Sequence, residues 1–249
     1  MAFAVWVRSV PVFTSLLAAA LSGCAAPSGS DPGSVVSSAV PVGPVQSSTA
    51  AATEEQQSPD PPPTTVVSLV AVDASGRPAD GFDVSGTAPA DRLDCSKAMS
   101  SRSATSPGVY HCGASADAAD ICWAAAGGTE LLCADDPWNR GLRWYSVEPR
   151  LEPIGKIADP EPWALELADG RRCRIRVGGA WGGRADGLMG AYSCTGGAEV
   201  VLQPSDARSA LDTSAPTWHI RLGGLGAGAP DLPPPTIVDV RTAYFAAAS

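Results

Sequence analysis

Six of the seven cysteines fall between residues 95 and 194, and they restrict the fold more than any other feature of the chain. Cys95, Cys112, Cys122, Cys133, Cys173 and Cys194 make an even set, with Cys24 standing alone far upstream. In an exported chain, an even set of this kind reads as a disulfide framework formed in an oxidising compartment. Three hairpin signals suggest how it pairs. Ile121–Ala125 and Thr129–Cys133 flank the turn Ala126-Gly127-Gly128. Trp163–Leu167 turns at Ala168-Asp169-Gly170 into Arg172–Val177, and Ala191–Cys194 turns at Thr195-Gly196-Gly197 into Glu199–Leu202. Glycine-bearing turns between alternating apolar runs are the short-range mark of antiparallel strands. The hairpins point to local pairing Cys95–Cys112, Cys122–Cys133 and Cys173–Cys194, as does a candidate duplicated Cys-strand-loop-strand-Cys unit that would set Cys95 and Cys112 against Cys173 and Cys194. Each bridge would contribute about 3 kcal/mol through loop closure.

Other segments read the same way. Val66–Val72 is β-branched and stops at Asp73-Ala74-Ser75-Gly76; Leu142–Val147, Thr217–Leu222 and Ile237–Val240 add strands. Phe82-Asp83-Val84 is a weaker extended piece, and Pro204-Ser205-Asp206 carries a capping signal for a short helix through Leu211. The expected fold is all-β or β-rich: antiparallel hairpins stapled by three disulfides, folded as one domain over 66–249 or as two small lobes, 66–150 and 151–249. Gly108–Cys112 parallels Gly190–Cys194, as a duplicated unit or as two hairpins sharing turn chemistry.

The N-terminus supplies the address. A single charge, Arg8, precedes the apolar run Val10–Leu21, which has the length of a signal peptide and not of a membrane span. It ends in Leu21-Ser22-Gly23-Cys24, which resembles the lipobox of bacterial prolipoproteins at all four positions. That resemblance implies removal of residues 1–23 and a diacylglyceryl thioether on Cys24, with N-acylation by a fatty acid such as palmitate. Residues 24–65, rich in Ser, Pro, Ala and Thr and lacking aromatics, read as a disordered tether. The chain would then sit on the outer face of the bacterial membrane. Its second half, through Glu166–Gly170, Gly178–Gly187 and Gly190–Cys194, also resembles a group of exported proteins of mycobacteria and related actinobacteria; that resemblance brings no activity.

Charge narrows the partners. Setting aside Arg8 and the acids Asp31, Glu54, Glu55 and Asp60 leaves residues 67–249 with 22 acids against 16 bases, net −6. That sign argues against nucleic acid as a partner, since its binding draws on a basic footprint. The only two histidines, His111 and His219, lie in strands with no acid partner identifiable in the sequence, and no Gly-x-Ser-x-Gly elbow accompanies them. No catalytic residue, metal ligand or cofactor is assigned; Asp135-Asp136 before Pro137 reads as a turn, with calcium as the alternative.

Two features remain as a weak binding site. Trp181, held among glycines, either stacks on a ligand or covers the sheet. Arg172, Arg174 and Arg176 share the outward face of one strand; with Arg171 they are the only basic stripe on an acidic domain. They either read an anionic envelope polymer or protein, or pair across the sheet with Glu166. The expected role is therefore non-enzymatic: a membrane-anchored protein that binds or scaffolds an envelope glycan or protein. The alternatives are an envelope hydrolase with remote carboxylates and a lipid carrier with an apolar cavity.

Overall fold

The computed structural model describes residues 60–86, 89, 91–113, 119–176, 182–226 and 232–249. Cys24, the tether up to residue 59 and Trp181 lie outside the described residues. Regular structure among the described residues is entirely β. β1 (Thr65–Leu69) precedes two sheets. The first contains β2 (Asp83–Ser85), β3 (Arg92–Asp94), β4 (Met99–Ser100), β5 (Val109–Cys112), β6 (Ala119–Ala124), β7 (Glu130–Ala134) and β8 (Gly141–Glu148). Its order is β2-β8-β7-β6-β5-β4, and β3 follows β2 along the same edge of β8, both parallel to it.

The second contains β9 (Ala164–Leu167), β10 (Arg172–Ile175), β11 (Leu188–Cys194), β12 (Val200–Pro204), β13 (Leu211–Asp212), β14 (Trp218–Gly223) and β15 (Thr236–Ala246). The sequence β9-β10-β11-β12-β14-β15 closes on itself, because β15 pairs with both β14 and β9. The result is a six-stranded antiparallel barrel. Closure removes the open edges that a flat sheet would expose.

β15 makes closure possible. Its first half pairs with β14 from Thr236 to Val240; its second half pairs with β9 and, in parallel, with β1 from Thr242 to Ala246. The register shifts between Val240 and Thr242. The extra residue of a bulge reverses the alternation of side chains, so Val238 and Val240 face the barrel interior before it and Ala243 and Phe245 after it. Tyr244 and Ala246 then face the first sheet.

Three layers of core result. Leu165, Leu167, Tyr192, Val201, Ile220 and Leu222 fill the barrel interior. Val109, Ile121, Trp123, Leu132 and Leu142 pack one face of the first sheet against Trp163, Ala164 and Ala246 of the barrel wall. Tyr110, Cys112, Cys122, Leu131, Cys133 and Val147 form a core on that sheet's opposite face. The first sheet is buried on both sides, which explains why β6 and β7 read as nearly continuous apolar runs.

The three expected disulfides are present: Cys95–Cys112, Cys122–Cys133 and Cys173–Cys194, with Cα separations of 5.1, 4.0 and 4.0 Å. The last two join directly opposed residues of neighbouring strands, Cys122↔Cys133 and Cys173↔Cys194. One expected element differs. No helix follows Pro204; the chain turns through Ser205 and Asp206, and Leu211 enters β13 opposite Ile220. A strand partner there outweighs the capping signal. Trp163, expected on one face with Leu165 and Leu167, lies just before β9 and packs into the layer between barrel and sheet.

Both ends of the described domain are tied to it. The Thr217 hydroxyl lies 3.0 Å from the Pro61 carbonyl and 2.9 Å from that of Pro62, and the Trp218 N–H donates to the Thr64 hydroxyl. At the other end, the Ala246 N–H donates to the Ser103 carbonyl and the Ala246 carbonyl accepts the Thr105 N–H, while the Trp123 indole donates to the Ala247 carbonyl at 2.8 Å.

Candidate functional site

β10 carries the arginine row for a local reason. Cys173 points inward to its bridge with Cys194, so the alternation of the strand sends Arg172 and Arg174 outward. The register places Arg172 opposite Glu166, and its Nε lies 3.5 Å from the Glu166 carboxylate. The Arg172 main chain is fixed from the other side by Thr195, whose hydroxyl accepts the Arg172 N–H at 3.1 Å. Arg171 does not belong to this row. It turns to Asp169 and Glu199, and its guanidinium holds the Asp169 carboxyl below its ordinary range. The basic stripe therefore has three members.

The aromatic partner of the row comes from the other sheet. The Asp136 carboxylate accepts the N–H groups of Trp138 at 2.9 Å and Asn139 at 2.8 Å, fixing a turn that projects the indole toward β10. Asp135 is occupied by Arg143 through two bonds of 2.7 and 2.8 Å. Asp136 thus fixes the turn, and Asp135 ties its start to β8. The Arg172 guanidinium lies over the Trp138 ring, 5.2 Å from its centroid. Such a contact contributes about 0.5–1 kcal/mol at an exposed site. Trp138 meets Tyr244 edge-on at 6.0 Å, and burial together with nearby Glu166 raises the Tyr244 phenol above its usual range.

Trp138, Arg172, Arg174, Arg176, Ser193 and Thr195 line one open hollow of about 380 Å³. Arg174 is exposed and makes no ion pair among the described residues, whereas Arg176 is engaged. A smaller hollow of about 120 Å³ continues past Ile175 and Arg176 to Met99, Arg102, His111 and Asp120. Chemically this groove offers one uncommitted guanidinium, two engaged ones, two hydroxyl-bearing side chains and an indole. Guanidinium pairs carboxylates and phosphates through parallel N–H donors.

Both histidines have acid partners that the sequence did not reveal. His111 Nδ1 lies 3.0 Å from Asp120 Oδ1, and His219 Nδ1 lies 2.9 Å from Asp239 Oδ1. The first pair spans the bulge between β5 and β6; the second sits in register across β14 and β15. Only strand register reveals such partners. Among the described residues, no three His, Cys, Asp or Glu side chains gather to hold a metal.

No protein-family model matches the chain, and neither a curated protein nor a solved structure is significantly similar to it.

Proposed function

We propose that this chain is an exported bacterial lipoprotein, attached through lipidated Cys24 to the outer face of the cell membrane, whose barrel binds an anionic component of the envelope without acting on it chemically. The groove of Arg172, Arg174 and Arg176 beside Trp138 carries the reading: it is a basic, aromatic-lined surface on a domain of net −6. The surrounding negative charge repels polyanions elsewhere on the surface and leaves this stripe as the favourable approach. Trp181, five residues beyond Arg176 in sequence, is a second aromatic contact in this proposal. The lipobox and the Pro-rich tether support the address.

Two measurements test the two halves. Metabolic labelling with a fatty acid should mark the wild-type chain and not Cys24→Ala, and the variant should leave the membrane fraction; a Cys24→Ala protein that stays membrane-bound contradicts the anchor. Full-length protein should bind poly(glycerol phosphate) or polygalacturonate, the two probes separating phosphate from carboxylate recognition. Arg174→Glu should weaken that binding at least about tenfold, since it replaces an attraction by a like-charge repulsion.

A further inference from the structure

We infer that the mouth of the barrel is a second binding site, separate from the arginine groove, and that it takes a neutral sugar ring. The inward-facing residues of a barrel strand end in a last rung at its mouth. On β14, Ile220 and Leu222 are buried in the interior and Trp218 is that last rung, half-buried. Leu211 of β13 and Phe245 of β15 stand beside it. Over this apolar floor passes the segment Ile157–Pro162. The Tyr192 hydroxyl, from inside the barrel, donates to the Pro162 carbonyl at 2.7 Å, and the Glu161 N–H donates to the Arg102 carbonyl at 2.9 Å. Floor and segment enclose an open hollow of about 560 Å³, within the range of ordinary small-molecule sites, for which barrel mouths are a usual location.

The rim decides the ligand. Arg102, Arg208, Asp159 and Glu161 stand around the hollow, two charges of each sign. A purely apolar ligand would strip water from all four without replacing their hydrogen bonds. An anion would meet two carboxylates, and a cation two guanidiniums. A neutral polyol satisfies both kinds, because each hydroxyl both donates and accepts. A sugar ring adds an apolar C–H face that fits against an indole, which offers a large rigid surface. The Glu161 side chain is 13 % exposed and is paired with Arg102. Burial raises its carboxyl above the ordinary range against the opposing effect of Arg102, so it is poorly hydrated and placed to accept a hydroxyl. Arg208 is exposed and has no partner among the described residues.

This inference rests on neither the anchor nor the arginine groove. Its test titrates the full-length chain with mannotriose, maltotriose and chitotriose as neutral probes, followed by tryptophan fluorescence and ligand-observed NMR. Trigalacturonate and a lysolipid provide the charged and apolar arms. At least one neutral trisaccharide should bind saturably; Trp218→Ala should weaken it at least about tenfold and Arg208→Ala about threefold to tenfold, as expected for a central aromatic anchor and a rim contact. Trp218→Phe, which keeps a ring, preserves measurable binding and shows that the site is folded. Arg174→Glu should leave this binding unchanged. Absence of saturable binding by all three neutral probes overturns the inference. So does binding that is indifferent to both Trp218→Ala and Arg208→Ala, or a site that takes only the uronate or only the lysolipid.

Discussion

Arg184 shows how much a single side chain contributes here beyond the candidate sites. It lies in the glycine-rich stretch after β10, yet its side chain is only 3 % exposed. It pairs with Asp186 and donates to the carbonyls of Gly224 at 2.9 Å and Pro233 at 3.0 Å, joining three loops at one end of the barrel. Charge-assisted bonds of this kind are worth more than neutral ones. Arg184→Ala should therefore destabilise the domain by roughly 2–4 kcal/mol, read as a lower urea midpoint with an unchanged slope. Glu161 makes a prediction of opposite sign. Its pKa is raised by burial above the ordinary 4.5, so the folded chain holds that proton more tightly than the unfolded one. Stability from this group rises as pH falls through its folded pKa toward 4.5, and ionisation above that pKa is the unfavourable state. Glu161→Gln should consequently compare best with wild type at neutral pH and lose that advantage on acidification, which melting temperatures across the range will show.

At the scale of strands, the hairpins were legible because each joins neighbours in sequence through a glycine-bearing turn. Strict alternation made the outward Arg172 and Arg174 readable as well, and the local cysteine pairing followed from the hairpins. What stayed hidden depends on register or on distant pairing. Trp138 meets Arg172 only because a turn of the first sheet approaches the barrel wall. Asp239 faces His219 through the pairing of β14 with β15. The bulge after Val240 reverses the facing of β15, so no single alternation describes that strand. The Cys173–Cys194 bridge belongs to this scale, since it joins β10 to β11 directly behind the arginine row. Replacing both cysteines by alanine should cost about 3 kcal/mol and broaden the β10 amide resonances; loss of stability with an unaltered groove would separate the bridge from any role in positioning the arginines.

For the whole molecule, the arrangement places the two candidate surfaces on one rigid frame. The barrel is closed, the first sheet is packed against its wall, and the C-terminal residues are bonded into both. The barrel interior is filled by side chains, which favours ligands at its wall and mouth over a carried lipid inside it. The described chain enters the domain at Pro61 and Pro62 beside Thr217. We propose that the arginine row of β10 engages a linear polyanion. The most direct test is the salt dependence of poly(glycerol phosphate) and polygalacturonate binding by full-length wild type and Arg174→Gln. Each guanidinium that replaces condensed counterions on a polyanion contributes about one to the slope of log affinity against log salt. Binding should weaken with salt, and the slope should fall by about one in the variant; equal affinity and equal slope for the two proteins would show that the row does not engage the polyanion.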